Sequence, residues 1–358
     1  MKILCDHPGG NIIVKGVDNT NDCIKVTLSQ DLRGTANWWF YWNFRVIDCP
    51  VGRVHFSFQN RKVISPHGVA TSTDGIEWTW TESNGFIDHM NFTYDFTGET
   101  VRYFSFCIPY QVSDYEQFIL KLHDKPIKTG ILTHSEKGRQ VPLLTFGGGA
   151  RAVILTARHH CCEATGSYAL EGFIREVLAK PDEYSNYRFF VMPFVDIDGV
   201  EEGDQGKDRI PHDHNRDYGE DSIYAATRAI RELCQHLDVA AAFDFHSPWC
   251  WGGGDDFPHL HLGPAVGDDP DLQKHFSDRL HEISKTIPYD DTYISHYGSP
   301  YNKEGAPAFK NWFALKKGVP LALTVETPYS GALPRGYSKE DMRAFGACVA
   351  RAMKITLN

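Results

Sequence analysis

The chain has 358 residues and a formal net charge of −10, from 36 lysines and arginines against 46 aspartates and glutamates. This length exceeds what one hydrophobic core usually supports, so two domains are expected. The acidic balance argues against nucleic acid as a partner, because binding phosphates requires clustered basic side chains. No apolar run approaches the roughly 18 residues of a membrane span, and Pro8 and Gly9 interrupt any signal-peptide pattern, so no membrane partner is expected. Nine cysteines, an odd number, do not indicate a disulfide framework, and the expected location is the cytoplasm.

The first part of the chain, residues 1–112, contains short runs of aromatic and β-branched residues that alternate with polar ones. Turn residues separate these runs. Several short strands at regular spacing predict an antiparallel β-sandwich domain. The predicted strands cover residues 37–47, 53–60, 76–80, 91–96 and 100–110.

The second part, residues 113–358, shows strand-like apolar runs that alternate with amphipathic helical segments. This alternation predicts an α/β domain with a mixed, mostly parallel sheet and helices on both faces. The predicted strands cover residues 152–157, 187–195, 239–247 and 320–327. The predicted helices follow the first of these strands, cover residues 222–237 and 271–287, and begin again at Ser338.

Ligands of such sheets bind where strands end in loops. The first strand ends in "RHHCCE", in which His160 and Glu163 stand three residues apart at the entry to a helix. Their side chains can share a face and converge on one metal ion, since zinc binds imidazole nitrogen and carboxylate oxygen. Alone this pair is a weak signal, because a lone histidine is more often an ordinary core residue.

A third donor strengthens the metal interpretation. His246 lies at the end of the strand predicted over 239–247. A catalytic zinc ion usually has three protein ligands and one open position, and His160, Glu163 and His246 would supply them for one zinc ion per chain. The competing interpretation is that His246 only bonds a backbone carbonyl group.

Further polar residues suit catalysis and substrate binding. Glu326, in the apolar run "LALTVETPY", can act as a general base, although it could also be an end-of-strand carboxylate in a salt bridge. Asn215 and Arg216 suit a substrate carboxylate, and a guanidinium such as that of Arg209 would suit a developing oxyanion. Ordinary surface ion pairs compete with this interpretation in so acidic a loop.

The order of these motifs resembles the zinc carboxypeptidase family, and most closely its cytosolic carboxypeptidase branch. "ARHHCCEATGSYALEGF" is similar to that branch's Ala-Arg-x-His-Pro-Gly-Glu segment, with Cys161-Cys162 in place of Pro-Gly. "DIDG" stands where the family usually has Asn-Pro-Asp-Gly. "NWWFYWNFRVIDC" and "YFSFCIPYQVSDYEQF" resemble strands of the β-sandwich that precedes the catalytic domain in that branch.

The resemblance implies a role for each matching position. His160, Glu163 and His246 would bind zinc. Glu326 would act first as base and then as acid, and Arg209 would stabilise the oxyanion.

It also implies how a substrate is held. Asn215 and Arg216 would bind the C-terminal carboxylate of a peptide. Tyr301, or else Tyr297, would be the family's mobile tyrosine. Lys310 would favour an acidic C-terminal residue.

The leading hypothesis is a zinc metallocarboxypeptidase that acts on the C-terminus of peptides or proteins, with a preference for an acidic last residue. A zinc deacylase or amidase of small N-acyl amino acids is one alternative. A non-catalytic binding protein with a vestigial metal site is another. The sequence does not determine the oligomeric state.

Overall fold

The computed structural model describes residues 1–20, 23–37, 39–59, 62–82, 85–300 and 302–358. Its N-terminal part consists of short strands. These are β1 (Lys2–Leu4), β2 (Ile13–Thr20), β3 (Cys23–Ser29), β4 (Asn43–Ile47), β5 (Val51–Phe58), β6 (Ala70–Ser72), β7 (Thr79–Trp80), β8 (Phe86–Asp88), β9 (Asn91–Thr97) and β10 (Val101–Ser105).

These strands form two five-stranded sheets that face each other across an aromatic core. One sheet has the order β1-β4-β10-β6-β7 and is antiparallel. The other has the order β2-β3-β5-β9-β8 and pairs β3 with β5 in parallel. The Phe56 ring of β5 lies 5.7 Å from that of Phe44 in β4 and 5.6 Å from that of Phe104 in β10. The predicted sandwich is therefore confirmed, with one parallel pair that alternation alone does not predict.

The strand predicted over 37–47 begins only at Asn43. Trp38, within that run, lies outside the described residues. The preceding segment, from Trp39 to Trp42, is buried without being a strand, because its aromatic side chains fill the core from a loop.

The second part of the chain contains helices and a second set of strands. The helices are α1 (Val112–Leu120), α2 (Ala164–Ala179), α3 (Ile197–Glu202), α4 (Ala225–Cys234), α5 (Leu272–Ile283), α6 (Phe309–Lys317) and α7 (Lys339–Leu357). The strands are β11 (Ile127–His134), β12 (Gln140–Phe146), β13 (Arg151–Ala157), β14 (Tyr187–Met192), β15 (Val239–His246), β16 (His259–Leu262) and β17 (Leu321–Glu326).

These seven strands form one mixed sheet in the order β11-β12-β14-β13-β15-β17-β16. The four central strands, β14, β13, β15 and β17, run parallel, and they correspond to the four buried runs predicted from the sequence. The outer pairs are antiparallel, so parallel pairing is confined to the centre of the sheet. The outer strands β11 and β12 are absent from the sequence prediction because they are largely half-exposed and show no continuous apolar run.

Alternate side chains of β15 point to opposite faces of this sheet. Phe243 and Phe245 contact Phe173 of α2, with ring centroids 6.1 and 6.2 Å apart. Asp244 and His246 therefore lie on the other face, where β15 ends. This arrangement combines a packed apolar face with a polar face that is available for chemistry.

The buried apolar residues of the two parts form one continuous cluster. The predicted domain boundary between residues 112 and 113 falls at the start of α1, and the division into two domains stays a prediction. Among the described helices, none has the length and apolar character that crossing a membrane requires.

Candidate metal centre and substrate cavity

The turn from β13 into α2 places His160 and Glu163 side by side. It begins at Arg158, whose φ of 62° is uncommon for a residue other than glycine. The buried Arg158 guanidinium stabilises this turn by donating hydrogen bonds to the carbonyl oxygens of Cys161 (2.8 Å) and Tyr110 (2.7 Å). As a result, His160 Nδ1 lies 2.9 Å from Glu163 Oε1.

His246 reaches the same point from the end of β15. Its Nδ1 lies 2.6 Å from Glu163 Oε2. Gly166 in the first turn of α2 permits the close approach, since a Cβ atom there would lie 2.9 Å from the carbonyl oxygen of Phe245. The three buried side chains of His160, Glu163 and His246 offer donor atoms within 4.8 Å of one another. The structure thus brings together the three residues predicted as metal ligands.

Each of these two histidines has a carboxylate behind it. Nε2 of His246 lies 2.5 Å from Asp244 Oδ2, and Nε2 of His160 lies 3.4 Å from Asp213 Oδ1. Carboxylates in this position usually accept the second ring N–H of a metal-binding histidine and so fix its tautomer. The other nitrogen, Nδ1, then presents its lone pair toward Glu163. Two imidazole nitrogens and one carboxylate fit a zinc ion.

A second donor group, His159 with Asp244 and His246, overlaps the first. Both ring nitrogens of His159 are already engaged, with Asp244 Oδ1 at 2.7 Å and the hydroxyl of Tyr218 at 2.8 Å. His159 is also not among the residues that line the adjoining cavity. The group of His160, Glu163 and His246 is therefore the better candidate metal centre.

This group lies in the wall of a cavity of about 800 Å³, a volume typical of ligand-binding sites. The floor of the cavity comes from three neighbouring strands. In the ladder between β15 and β17, His246 pairs with Glu326. In the ladder between β17 and β16, Glu326 pairs with His259, and Thr324 pairs with His261. Residues in register share a face of the sheet, so these polar side chains form one surface.

Glu326 is buried in this floor. Among the described residues its Oε2 has no hydrogen-bond partner, and its Oε1 lies 3.9 Å from Nε2 of His261. Burial raises the pKa of Glu326 above its ordinary value. A buried carboxylate with a perturbed pKa beside a candidate metal centre is a functional-site candidate.

The cavity also has a basic end, where Arg216 and Lys310 lie near each other. This end adjoins the candidate metal centre, since Asn215 Nδ2 lies 3.2 Å from His246 Nε2. Asn215 is fixed by the start of α6, because the backbone N–H of Phe309 donates to its Oδ1 at 3.1 Å. Arg216 donates to the carbonyl oxygen of Asn215 at 3.0 Å and also lines the cavity. Lys310 is only 7% exposed and has no ion pair with a described residue. Burial, together with the nearby Arg216, lowers the pKa of Lys310 to about 8.

The structure does not bring Arg209 into the cavity. Its guanidinium forms ion pairs with Asp196 (2.5 Å) and Asp204 (3.1 Å), and it is not among the lining residues. Asp196 is a buried carboxylate, which is costly without a cation nearby. Its ion pair with Arg209 keeps that side chain away from the candidate metal centre. The oxyanion role predicted for Arg209 is therefore not supported by its position.

The cation beside the candidate ligands is instead Lys207, which the sequence analysis does not single out. Its Nζ lies 2.6 Å from Glu163 Oε1. Gly206 makes this approach possible, since it has a φ of 79° and a Cβ atom there would lie 2.4 Å from the backbone nitrogen of Cys161. Burial favours the neutral amine, but Glu163 raises the pKa of Lys207 above its ordinary value. The Gly206-Lys207 pair between "DIDG" and Asn215 is the sequence signal that could have indicated this residue.

Aromatic side chains line the mouth of the cavity. Tyr301, the predicted mobile tyrosine, lies outside the described residues. Its alternative, Tyr297, accepts a hydrogen bond from the backbone N–H of Gly305 and does not line the cavity. Tyr293 and Trp249 do line it, and both are partly exposed.

Comparisons with known proteins relate this site to one family. Residues 115–262 match the family model described as zinc carboxypeptidase. Cytosolic carboxypeptidase 3 from Bos taurus is 23% identical over 81% of this chain and 32% of its own length. Cytosolic carboxypeptidase 2 from Mus musculus is 29% identical over 68% of this chain and 31% of its own length. The chain thus spans about a third of the length of these relatives.

Solved structures show the same fold along the whole chain. A carboxypeptidase A from Shewanella denitrificans is similar with a TM-score of 0.84 and 19% identity, covering 100% of this chain and 99% of its own. A metallo-carboxypeptidase from Pseudomonas aeruginosa, in complex with (2-guanidinoethylmercapto)succinic acid, has a TM-score of 0.80 and 18% identity and covers 100% of both chains. The resemblance to the zinc carboxypeptidase family that the motifs predict is thereby confirmed.

Proposed function

We propose that this protein is a zinc-dependent metallocarboxypeptidase that hydrolyses the C-terminal peptide bond of peptides or proteins. The observation that carries the proposal is the composition of one cavity. It combines three candidate zinc ligands, a basic end and the buried carboxylate of Glu326, one oxygen of which has no hydrogen-bond partner among the described residues. Zinc bound by His160, Glu163 and His246 would supply Lewis acidity and make water a stronger nucleophile at neutral pH.

The basic end binds the terminus of the substrate in this proposal. Arg216 offers a planar guanidinium, which suits a carboxylate better than an ammonium does. Asn215 assists with its side-chain amide, whose orientation the N–H of Phe309 fixes. A peptide held in this way would present its last amide bond to the candidate metal centre, which adjoins the basic end.

Glu326 acts first as the general base and then as the general acid. It accepts a proton from the attacking water as the new carbon–oxygen bond forms. It then donates that proton to the amide nitrogen as the carbon–nitrogen bond breaks, so that the last residue leaves as an amine. Its raised pKa suits both steps, because the group must be deprotonated first and protonated afterwards.

We also propose that the preferred last residue is acidic. Lys310 lies at the basic end, is almost fully buried and has no ion pair with a described residue. A second carboxylate on the substrate would supply the missing partner, and a charge pair in a partly desolvated site is strong. The names of the relatives include the word cytosolic, and we propose the cytoplasm as the location.

The test is a panel of substrates given to the purified protein with one equivalent of zinc. It contains peptides that end in Glu, Asp, Leu or Lys, the same peptides as C-terminal amides, and N-acyl amino acids. We expect release of one residue, fastest for Glu or Asp, and no reaction of the amides, which cannot pair with Arg216. Turnover of the N-acyl amino acids alone would establish the deacylase alternative. Bound zinc without turnover of any substrate would establish the binding protein.

A further inference from the structure

The N-terminal sheets contribute a loop that closes over the segment carrying Lys207. Gln205 forms two hydrogen bonds with the backbone of Tyr41 in this loop. The Tyr41 N–H donates to Gln205 Oε1, and Gln205 Nε2 donates to the Tyr41 carbonyl oxygen, both at 2.9 Å. A third hydrogen bond joins the same two segments, from the Ala36 N–H to the carbonyl oxygen of Asp208 at 2.8 Å. Gln205 is fully buried. The contacts at Tyr41 and at Ala36 therefore join the loop to the segment that carries Lys207 at two points.

Trp39 lies between Ala36 and Tyr41 in sequence, and Lys207 lies between Gln205 and Asp208. The two side chains contact each other. The Nζ atom of Lys207 lies 4.8 Å from the centroid of the Trp39 ring, within the range of a cation–π interaction. Trp39 is 5% exposed and lines the cavity. It is packed in turn against Phe40 and Trp249, with ring centroids 5.1 and 4.2 Å away. The indole ring is therefore a fixed surface against which the ammonium rests.

Such a surface is needed because a lysine side chain is flexible. Four methylene groups allow the ammonium many positions, and a carboxylate partner such as Glu163 does not select one of them by itself. With the ring on one side and Glu163 on the other, the Lys207 ammonium is held at the cavity wall. A donor preorganised at this point can stabilise the negative charge that develops on the scissile carbonyl oxygen.

We propose that Trp39 is a positioning residue for catalysis: it holds the Lys207 ammonium at the candidate metal centre, so that the N-terminal sheets take part in the reaction. This inference rests on the proposed function and assigns the cation of the site to Lys207. It also gives the first part of the chain a role beyond stability.

A double-mutant cycle in the zinc-loaded protein tests the coupling. Trp39→Leu should lower kcat by roughly three- to thirtyfold, the range of a cation–π contact, with KM changed by less than about twofold. Affinity for a phosphonate peptide, which mimics the charged transition state, should fall by the same factor. In a Lys207→Met background, Trp39→Leu should have little further effect. Equal factors in both backgrounds would overturn the inference.

An NMR measurement that needs neither metal nor turnover tests whether Lys207 lies against the Trp39 ring. In protein labelled with ¹³C-lysine, the ε-methylene protons of Lys207 should be shifted upfield by the Trp39 ring, and the signal is assigned by its loss in Lys207→Met. Trp39→Leu should return this signal to an ordinary position, and Trp39→Phe should leave part of the shift. Trp78→Leu, which removes an indole from the N-terminal part of the chain outside the cavity, should leave it unchanged. A signal at the ordinary position in the wild type would also overturn the inference.

The two proposals fail differently. If the wild type hydrolyses no peptide, the proposed function fails, and the lysine spectrum still decides whether Trp39 holds Lys207. If the wild type is active and Trp39→Phe and Trp39→Leu, both folded by circular dichroism, retain its kcat, only the inference about Trp39 fails.

Discussion

His246 and Glu326 are direct partners in the parallel ladder between β15 and β17. Their side chains share one face of the sheet at the carboxyl ends of two buried central strands. The backbone hydrogen bonds of the ladder therefore set the distance between a candidate zinc ligand and the candidate base. Sites built on strands in this way are more exact than sites built on loops.

Replacing Glu326 by glutamine should strongly lower turnover without disturbing the pairing of β15 with β17. Glutamine has the same shape but cannot accept the proton of the attacking water. We expect kcat to fall by roughly 10²- to 10⁴-fold, while zinc content and KM stay near the wild-type values. Steady-state kinetics on a Glu-ended peptide measures the loss, and exposed Glu220→Gln is the matched control. Wild-type turnover by Glu326→Gln would contradict the assigned role.

Zinc should stabilise the folded protein in proportion to the logarithm of its concentration, because the ligand set exists only in the native state. His160→Ala should abolish this increase in Tm, since it removes one of three donors. His159→Ala should still bind one zinc ion, though about 10- to 100-fold more weakly, because His159 is not one of the three candidate ligands and acts through Asp244, which contacts the candidate ligand His246. Thermal unfolding against zinc concentration measures both, with exposed His123→Ala as control. A complete loss in His159→Ala with retention in His160→Ala would favour the overlapping donor group.

Much of this arrangement could be predicted from the sequence because it depends on local patterns. The four central strands are continuous apolar runs. His246 ends one of them, and His160 and Glu163 lie in the turn that follows another. The contribution of Lys207 could not be predicted in the same way. It depends on Gly206 packing against the backbone of Cys161, a contact across 45 residues that no periodicity encodes. Arg209 shows the converse, since its position follows from buried Asp196, and a charged residue in an acidic loop gives no indication of which carboxylate it will meet.

The position of Arg209 leads to a prediction that separates stability from catalysis. Arg209→Met leaves Asp196 buried without its guanidinium partner, and breaking a buried ion pair typically costs about 3–5 kcal/mol. We expect the free energy of unfolding to fall by about that amount and kcat, measured well below the new Tm, to stay within about tenfold of wild type. Urea unfolding together with kinetics measures both quantities, and exposed Arg279→Met is the control. A loss of kcat as large as that of Glu326→Gln, with stability unchanged, would return the oxyanion role to Arg209.

Lys310 links specificity to stability through its pKa, which burial and then Arg216 lower from 10.5 to about 8. Below pH 8 the lysine is charged in both the folded and the unfolded chain, and the folded state bears the penalty. Between pH 8 and 10.5 the unfolded chain binds more protons, so the free energy of unfolding should rise with pH in this window.

Lys310→Met should therefore be more stable than wild type at pH 7, on the order of 1–3 kcal/mol, and this difference should shrink toward pH 10.5. The same substitution should abolish the preference for Glu-ended over Leu-ended peptides, since the methionine side chain carries no charge for the second carboxylate. In wild type that preference should decline as the pH rises through about 8 and the amine becomes neutral. Urea unfolding at pH 7 and pH 10, with the kcat/KM ratio of the two peptides from pH 6.5 to 9.5, measures both effects, and exposed Lys316→Met is the matched control. A preference for Glu that persists in Lys310→Met, or a variant less stable than wild type at pH 7, would show that Lys310 has a structural partner instead of a role in substrate selection.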